Sequence, residues 1–337
     1  MKAVARQKEF ITFSPDLRAG DACANYWMRQ VTIRLRREIC WCWHERGLQP
    51  ASDPAILPPF SDRVSTTLDV SRFWAEKQNF YLADPTARYL TEQLDTGSLR
   101  ARNERAARGS FGWVVDKLEL DDVAAFVLAL SLTVAFDGSM GSVIAACLND
   151  QTKSSPNLAL AQKLWDEPEQ VLRLADPFHP LFRLGLIKYS GQSGHYFSET
   201  GWDASITVPS LVAGQLLFPD TPFPQGLIPL EAAETDAAAD ELTETARLAA
   251  LRLSAAGASA LRVVPLIGAK GSARRETVRA IARANRKDVV EFQGETAAVE
   301  AGSFDTHYLN AMATVCWLKD TYLFFGKELA AFYLYPQ

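Results

Sequence analysis

The sequence predicts a multidomain chain of the α plus α/β class, helical at its start and α/β at its end. Three observations carry this. The 337 residues are 48% hydrophobic and 22% charged, a soluble globular balance with length for two or three domains. Helical spacing of apolar residues dominates the first third of the chain. Beyond Ala260, short apolar runs alternate with helical patterns, which implies a parallel sheet with crossovers.

The first segment, residues 1–105, reads as helices and loops. From Asp21 to Arg46, the apolar positions Ala24, Trp27, Met28, Val31, Leu35, Ile39, Cys42 and Trp43 fall on one helical stripe. Asp21 can cap the start of this helix and Gly47 its end. Pro50, Pro54, Pro58 and Pro59 mark an extended loop. Helical patterns follow over 69–82 and 85–94.

The second segment, residues 106–228, opens on LELDDVAAFVLALSLTVAFD, a buried helix with Asp121 and Asp122 at its dipole-favoured start. GSVIAACLND is a shorter helix. SPNLALAQKLWD is a third, with Ser155 as N-cap and Pro156 in the first turn. Helix, strand, Gly-rich turn, strand and closing helix follow through SITVPSLVAGQLLF. Three helices followed by a hairpin is the winged-helix order.

Residues 229–258 are an acidic, Ala-rich linker running into a helix through Leu242, Ala246, Ala249 and Leu253. Residues 259–337 supply the α/β pattern, a partial three-layer module. LRVVPLIG is a buried-type strand, GSARRETVRAIARANR a helix, DVVEFQG a strand, THYLNAMATVCWLKD a helix and TYLFF a third strand.

The net charge of −5 gives no global reason to expect nucleic acid or an anionic membrane as partner. No apolar run approaches the ~20 residues of a membrane span, and the start lacks the apolar core of a signal peptide. The five cysteines, Cys23, Cys40, Cys42, Cys147 and Cys316, are odd in number and scattered, as in reduced cytoplasmic proteins. Cys40, Cys42 and His44 do not make a metal site, because on a helix Cys42 points away from the other two and no second ligand pair follows. His179 and His195 have no nucleophile or carboxylate at motif spacing, so no catalytic residue is expected in this chain.

The run LELDDVAAFVLAL, CLNDQT, SPNLALAQKLW, HPLFRLGLIKY and SITVPSLVAGQLL resembles the winged-helix domain that precedes the ATPase modules of a bacterial branch of AAA+ proteins. LRVVPLIGAKGSARRETVRAIARANRKDVVEFQG looks like their first nucleotide-binding module. NYWMRQVTIRLRREICWCWHERG is similar to the N-terminal segment of AAA+ proteins associated with extracellular contractile injection systems. The resemblance implies a recognition and assembly region that binds substrate, cargo or an apparatus component and self-associates through AAA+ modules. It also implies a parent ATPase that uses ATP and Mg²⁺ in a second module.

A working P-loop is G-x-x-x-x-G-K-[ST] between strand and helix. Here Gly268, Lys270, Gly271 and Ser272 keep its small, polar character, but Ala273 replaces the second required glycine. Arg274 replaces the lysine, and Arg275 replaces the hydroxyl that would ligate Mg²⁺. The acidic position expected at the end of the third strand falls on Gly326 and Lys327, so no carboxylate stands there to hold metal. The segment is therefore expected not to hydrolyse ATP. Scaffolding and nucleotide binding without turnover, through Lys270, Arg274, Arg275 and Arg279, both stay open. Three strands are fewer than such a sheet needs, so the chain reads as part of a longer protein.

DNA binding is the second reading. Over residues 111–225, six basic residues stand against thirteen acidic ones, a net of −7. DNA affinity rests largely on neutralising phosphates, so this balance opposes it. On the first helix, a basic strip is interleaved with tryptophans. Trp27, Arg34, Arg37 and Trp41 are the candidates for a protein-docking face. The strip could instead be solvated, or pair with the acidic second segment.

Overall fold

The computed structural model describes residues 21–48, 70–94, 106–190, 201–230, 243–254, 263–267, 273–293 and 306–326. The chain divides into two compact units. Unit 1 takes Met1–Ala107, Phe111–His179 and Ile187–Val208; unit 2 takes Arg108–Ser110, Pro180–Leu186 and Pro209–Gln337. This grouping differs from the expected segments 1–105, 106–228, 229–258 and 259–337. The first helix is buried among helices of the second segment, and the closing helix of that segment packs with the α/β part.

In unit 1 the helices are α1 (Ala22–Leu48), α2 (Val70–Ala83), α3 (Pro85–Leu94), α4 (Phe111–Lys117), α5 (Asp122–Phe136), α6 (Met140–Leu148) and α7 (Leu158–Leu164). A 3₁₀ helix spans Pro168–Ala175, and strands β1 (Lys188–Tyr189) and β2 (Ile206–Thr207) pair antiparallel. Helix α1 touches α2 to α7. Its residues Gln30–Leu35 are buried without a break, so it is enclosed all round and does not present one apolar stripe.

Asp21 caps α1 as expected, its Oδ1 accepting from Ala24 N at 2.9 Å. Its Oδ2 accepts from Gly112 N at 3.0 Å, tying α1 to the start of α4. A Cβ on Gly112 would lie 2.8 Å from Asp21 Oδ1, so this close approach needs glycine.

Helix α5 is the other enclosed element. Asp121 Oδ1 accepts from Ala124 N at 2.8 Å, and Val123–Thr133 are all buried. At α7 the cap is Asn157, not Ser155. Asn157 Oδ1 accepts from Leu160 N at 2.8 Å. Pro156 lies before the helix as extended chain, its carbonyl accepting from Ile206 N at 2.7 Å. Asn157→Ala should therefore cost unit 1 about 1 kcal/mol, read by urea unfolding, while Ser155→Ala should cost almost nothing.

Unit 2 contains α8 (Pro180–Arg183), α9 (Ser210–Leu217), β3 (Leu227–Pro229), α10 (Glu244–Ser254), α11 (Arg274–Ala284), β4 (Asp288–Phe292), α12 (Thr306–Leu318) and β5 (Thr321–Phe325). The sheet order is β3-β4-β5, with β3 antiparallel and β5 parallel to β4. Leu227, Val290, Met312 and Cys316 form the core on one sheet face, with Leu309 and Leu323 packed on it. Helix α12 covers that face. On the other face, Arg275 of α11 reaches Glu291, and Asn285 Nδ2 donates to the Tyr322 hydroxyl at 2.9 Å. The sheet thus lies between α11 and α12.

One expected strand is not formed. Residues 263–267 of LRVVPLIG belong to no strand, with Val263 and Ile267 83% and 96% exposed. The third strand is instead β3, where the sequence reading placed no strand.

Candidate functional site

Two groups of residues singled out in the sequence can be placed. The first is the start of α11. Gly268, Lys270, Gly271 and Ser272 lie outside the described residues. Arg274 and Arg275 form the first turn of α11, and the N-cap position is Ala273, which supplies no side-chain hydrogen bond. The Arg275 guanidinium clasps one carboxylate oxygen of Glu291, with Nη2 at 2.8 Å and Nε at 3.2 Å.

Glu291 is nearly enclosed and stands on β4, beside β5. A Cβ on Gly326 would lie 3.4 Å from its Oε1, so this carboxylate also borders the end of β5. Arginine carries only donors and cannot ligate a metal, and here its charge is met by Glu291. What the turn offers a phosphate is correspondingly weaker than a free cation would be. Glu291 gave no sign of this role in the sequence, where it read only as one residue of a strand.

The second group is the strip on α1. Trp27, Arg34, Arg37 and Trp41 are all buried, so they do not form an exposed docking face. They are consumed inside unit 1. Arg34 and Arg37 both pair with Asp166, which follows α7, so the acidic second segment supplies their counter-charge.

The Arg34 guanidinium carbon lies 4.6 Å from the Trp165 ring centroid and 5.5 Å from that of Phe126. Arg37 lies 4.2 Å over Tyr81. Trp165 in turn packs at a tilt against Trp27 at 6.5 Å and Phe126 at 5.1 Å. Trp41 packs on Phe73 and Phe80 at 5.7 and 5.5 Å. Aromatic faces and a shared carboxylate together make burial of two guanidinium groups tolerable.

Next to this lies a second buried pair. Lys77 Nζ sits 2.5 Å from Glu38 Oε2 and donates to the Lys163 carbonyl at 2.8 Å. The Tyr81 hydroxyl donates to the same Glu38 oxygen at 3.1 Å. Burial pulls the Arg34 guanidinium below its ordinary value, while Asp166 raises it. Burial also raises the Tyr81 phenol, with Glu38 adding to the effect. The Cys42 thiol is pushed up to about 12, first by burial and then by Glu38. His44 stacks on Phe80 with ring centroids 4.5 Å apart, which fits packing better than ligation.

Neither group assembles an acid–base pair or an activated nucleophile. Among the described residues, no cluster of three His, Cys, Asp or Glu could hold a metal ion. Comparison of the chain with protein-family models, with curated proteins and with solved structures finds no match.

Proposed function

We propose that this chain is a non-catalytic recognition and assembly region of a AAA+ ATPase. The observation that carries the reading is the Arg275–Glu291 ion pair at the first turn of α11. In a working P-loop that position holds the Mg²⁺-ligating hydroxyl; here an internal salt link takes its place. The order α11–β4–α12–β5, with β4 and β5 parallel and a helix on each face, supports the same reading.

In this reading ATP and Mg²⁺ act in another module of a longer cytoplasmic protein. This chain contributes contacts to protein partners and to neighbouring subunits. Injection-system assembly or cargo loading is the narrower form of the proposal, and it rests on the likeness of residues 25–47 alone. The partner face must then lie outside Trp27, Arg34, Arg37 and Trp41. No helix among the described residues is long and apolar enough to cross a membrane.

The DNA reading is not favoured. Of the six basic residues over 111–225, Lys153 lies 3.9 Å from Asp203 and Arg173 lies 4.0 Å from Asp121. These cations face carboxylates of their own chain.

ATP turnover by the purified chain with Mg²⁺ should equal a buffer control. Turnover above that control and abolished by Arg274→Ala would overturn the non-catalytic reading. A DNA titration across salt concentrations should show no submicromolar binding near physiological salt.

A further inference from the structure

We infer that this chain associates head to tail with a second copy of itself. The acidic corner of unit 1 that carries Leu172 and Phe178 seats in the arginine-lined cleft between α10 and α11 of the next copy. The inference gives a face to the subunit contacts named above but does not rest on the proposed function.

The charge of the chain is divided between its units. Residues 111–179 of unit 1 carry ten acidic residues against four basic ones, a net of −6. Residues 274–287 of unit 2 carry six basic residues against one acidic, a net of +5. Glu291 and Asp320 answer Arg275 and Lys287, which leaves this layer a positive excess. Opposite poles on one molecule draw its copies together end to end.

Each pole also offers an apolar centre. In the 3₁₀ helix Pro168–Ala175, side chains three apart lie above one another. Val171 and Leu174 form the buried row, so Leu172 stands outward in the row of Glu169 and is 55% exposed. The turn that follows fixes Phe178. Its N–H donates to Asp176 Oδ1 at 2.8 Å, His179 N–H donates to the Asp176 carbonyl at 3.0 Å, and the Phe178 side chain is 74% exposed. Asp121 belongs to the same corner, because Arg173 of the 3₁₀ helix stands 4.0 Å from it. A ring held in place before docking loses little freedom when it docks.

On unit 2, α10 and α11 bound a cleft of about 320 Å³. Ala250, Leu251 and Ala284 give it apolar walls, and Arg247 and Arg286 line it with cations. A cavity of roughly 150 Å³ already holds a benzene ring. The cleft therefore has room for the Phe178 ring, with arginines at hand for Asp176 and Glu169. An aromatic anchor in a pocket beside arginines is the common make-up of an interface hot spot. An acidic peptide or a nucleic acid on α11 would account for the basic layer and leave Phe178 in water. A second copy accounts for both. The two faces differ, so the contact is heterologous: each copy offers its corner to one neighbour and its cleft to another.

Sedimentation of the full chain at neutral pH tests this. At tens of micromolar and low salt the chain should run above monomer mass, and high salt should shift it back. Phe178→Ala removes the anchor of the corner, and Arg286→Glu reverses a charge of the cleft. Each variant alone should self-associate about tenfold more weakly or worse. Mixed, the two should form a heterodimer and stop there. The intact corner of the Arg286→Glu chain fits the intact cleft of the Phe178→Ala chain, and the other two faces are broken. That recovery also shows that both variants are folded. A monomeric wild-type chain would overturn the inference, as would single variants that associate like the wild type or a mixture that stays monomeric. A monomeric chain that binds polyglutamate at low salt would assign the basic layer to an acidic peptide and overturn it too. None of these outcomes bears on ATP turnover, so this inference and the proposed function fail separately.

Discussion

Lys77→Met should destabilise unit 1 by about 3–5 kcal/mol, the expected cost of breaking a buried ion pair from one side. Lys77 is 1% exposed, although lysine is among the residues least often enclosed. Its ammonium meets Glu38 and the Lys163 carbonyl, with the Trp74 ring centroid at 4.9 Å. Methionine keeps most of the volume, so the loss is electrostatic rather than a cavity. Glu38 is left enclosed with the Tyr81 hydroxyl as its remaining hydrogen bond among those described here. The companion Lys77→Met/Glu38→Leu should recover much of the loss, because the orphaned charge is gone. Seven of the eight tryptophans lie in unit 1, so intrinsic fluorescence in urea reports this unit. A single-variant cost below about 1 kcal/mol, or a double variant worse than the single, would show that the pair is not the strut described.

What could be read from the sequence, and what could not, divides by range. Helix α5 is legible because its evidence is local: Asp121 caps it and an unbroken apolar run follows. Strands β4 and β5 with α12 between them are legible for the same reason, since each has its own period and a turn at its end. The burial of α1 is not legible. For Arg34 and Arg37 a solvated face, a docking face and pairing with the acidic second segment all stayed open, because their partner is remote. Asp166 lies 132 positions beyond Arg34, and the donor to Glu38 is on a different helix. Local pattern carries charge but not its neutralisation.

Strand β3 escaped because it has three residues, one of them proline, and acquires its conformation only by pairing with β4. At the α11 site, the arginines at the helix start were legible. The carboxylate that answers Arg275 was not, because it stands on a strand reached after the intervening helix. Sequence reading therefore singled out Arg275 but not the carboxylate that holds it.

Phe126→Ala carries the second large effect, about 3–5 kcal/mol in unit 1. Phe126 is fully buried on α5, in a stretch with no exposed residue to relax outward. Its ring stacks on Trp165 and faces Arg34. Truncation therefore removes two things. It opens a cavity in the core, and it takes one of the two aromatic faces from a guanidinium that is already desolvated. Arg34 cannot move to water, because Asp166 and Gln30 hold it and α1 is buried without a break over Gln30–Leu35. Phe126→Leu separates the contributions, since it refills most of the space but restores no aromatic face. The leucine variant should cost about 1–2 kcal/mol, less than alanine but more than a volume-conserving swap at a site without a cation. In an Arg34→Met background the difference between leucine and phenylalanine should shrink, because no cation is left to face the ring. If Phe126→Ala cost less than about 1 kcal/mol, the packing of α5 against Trp165 could not be as tight as the ring distances indicate. If the leucine penalty were unchanged without Arg34, the ring would be serving the core alone.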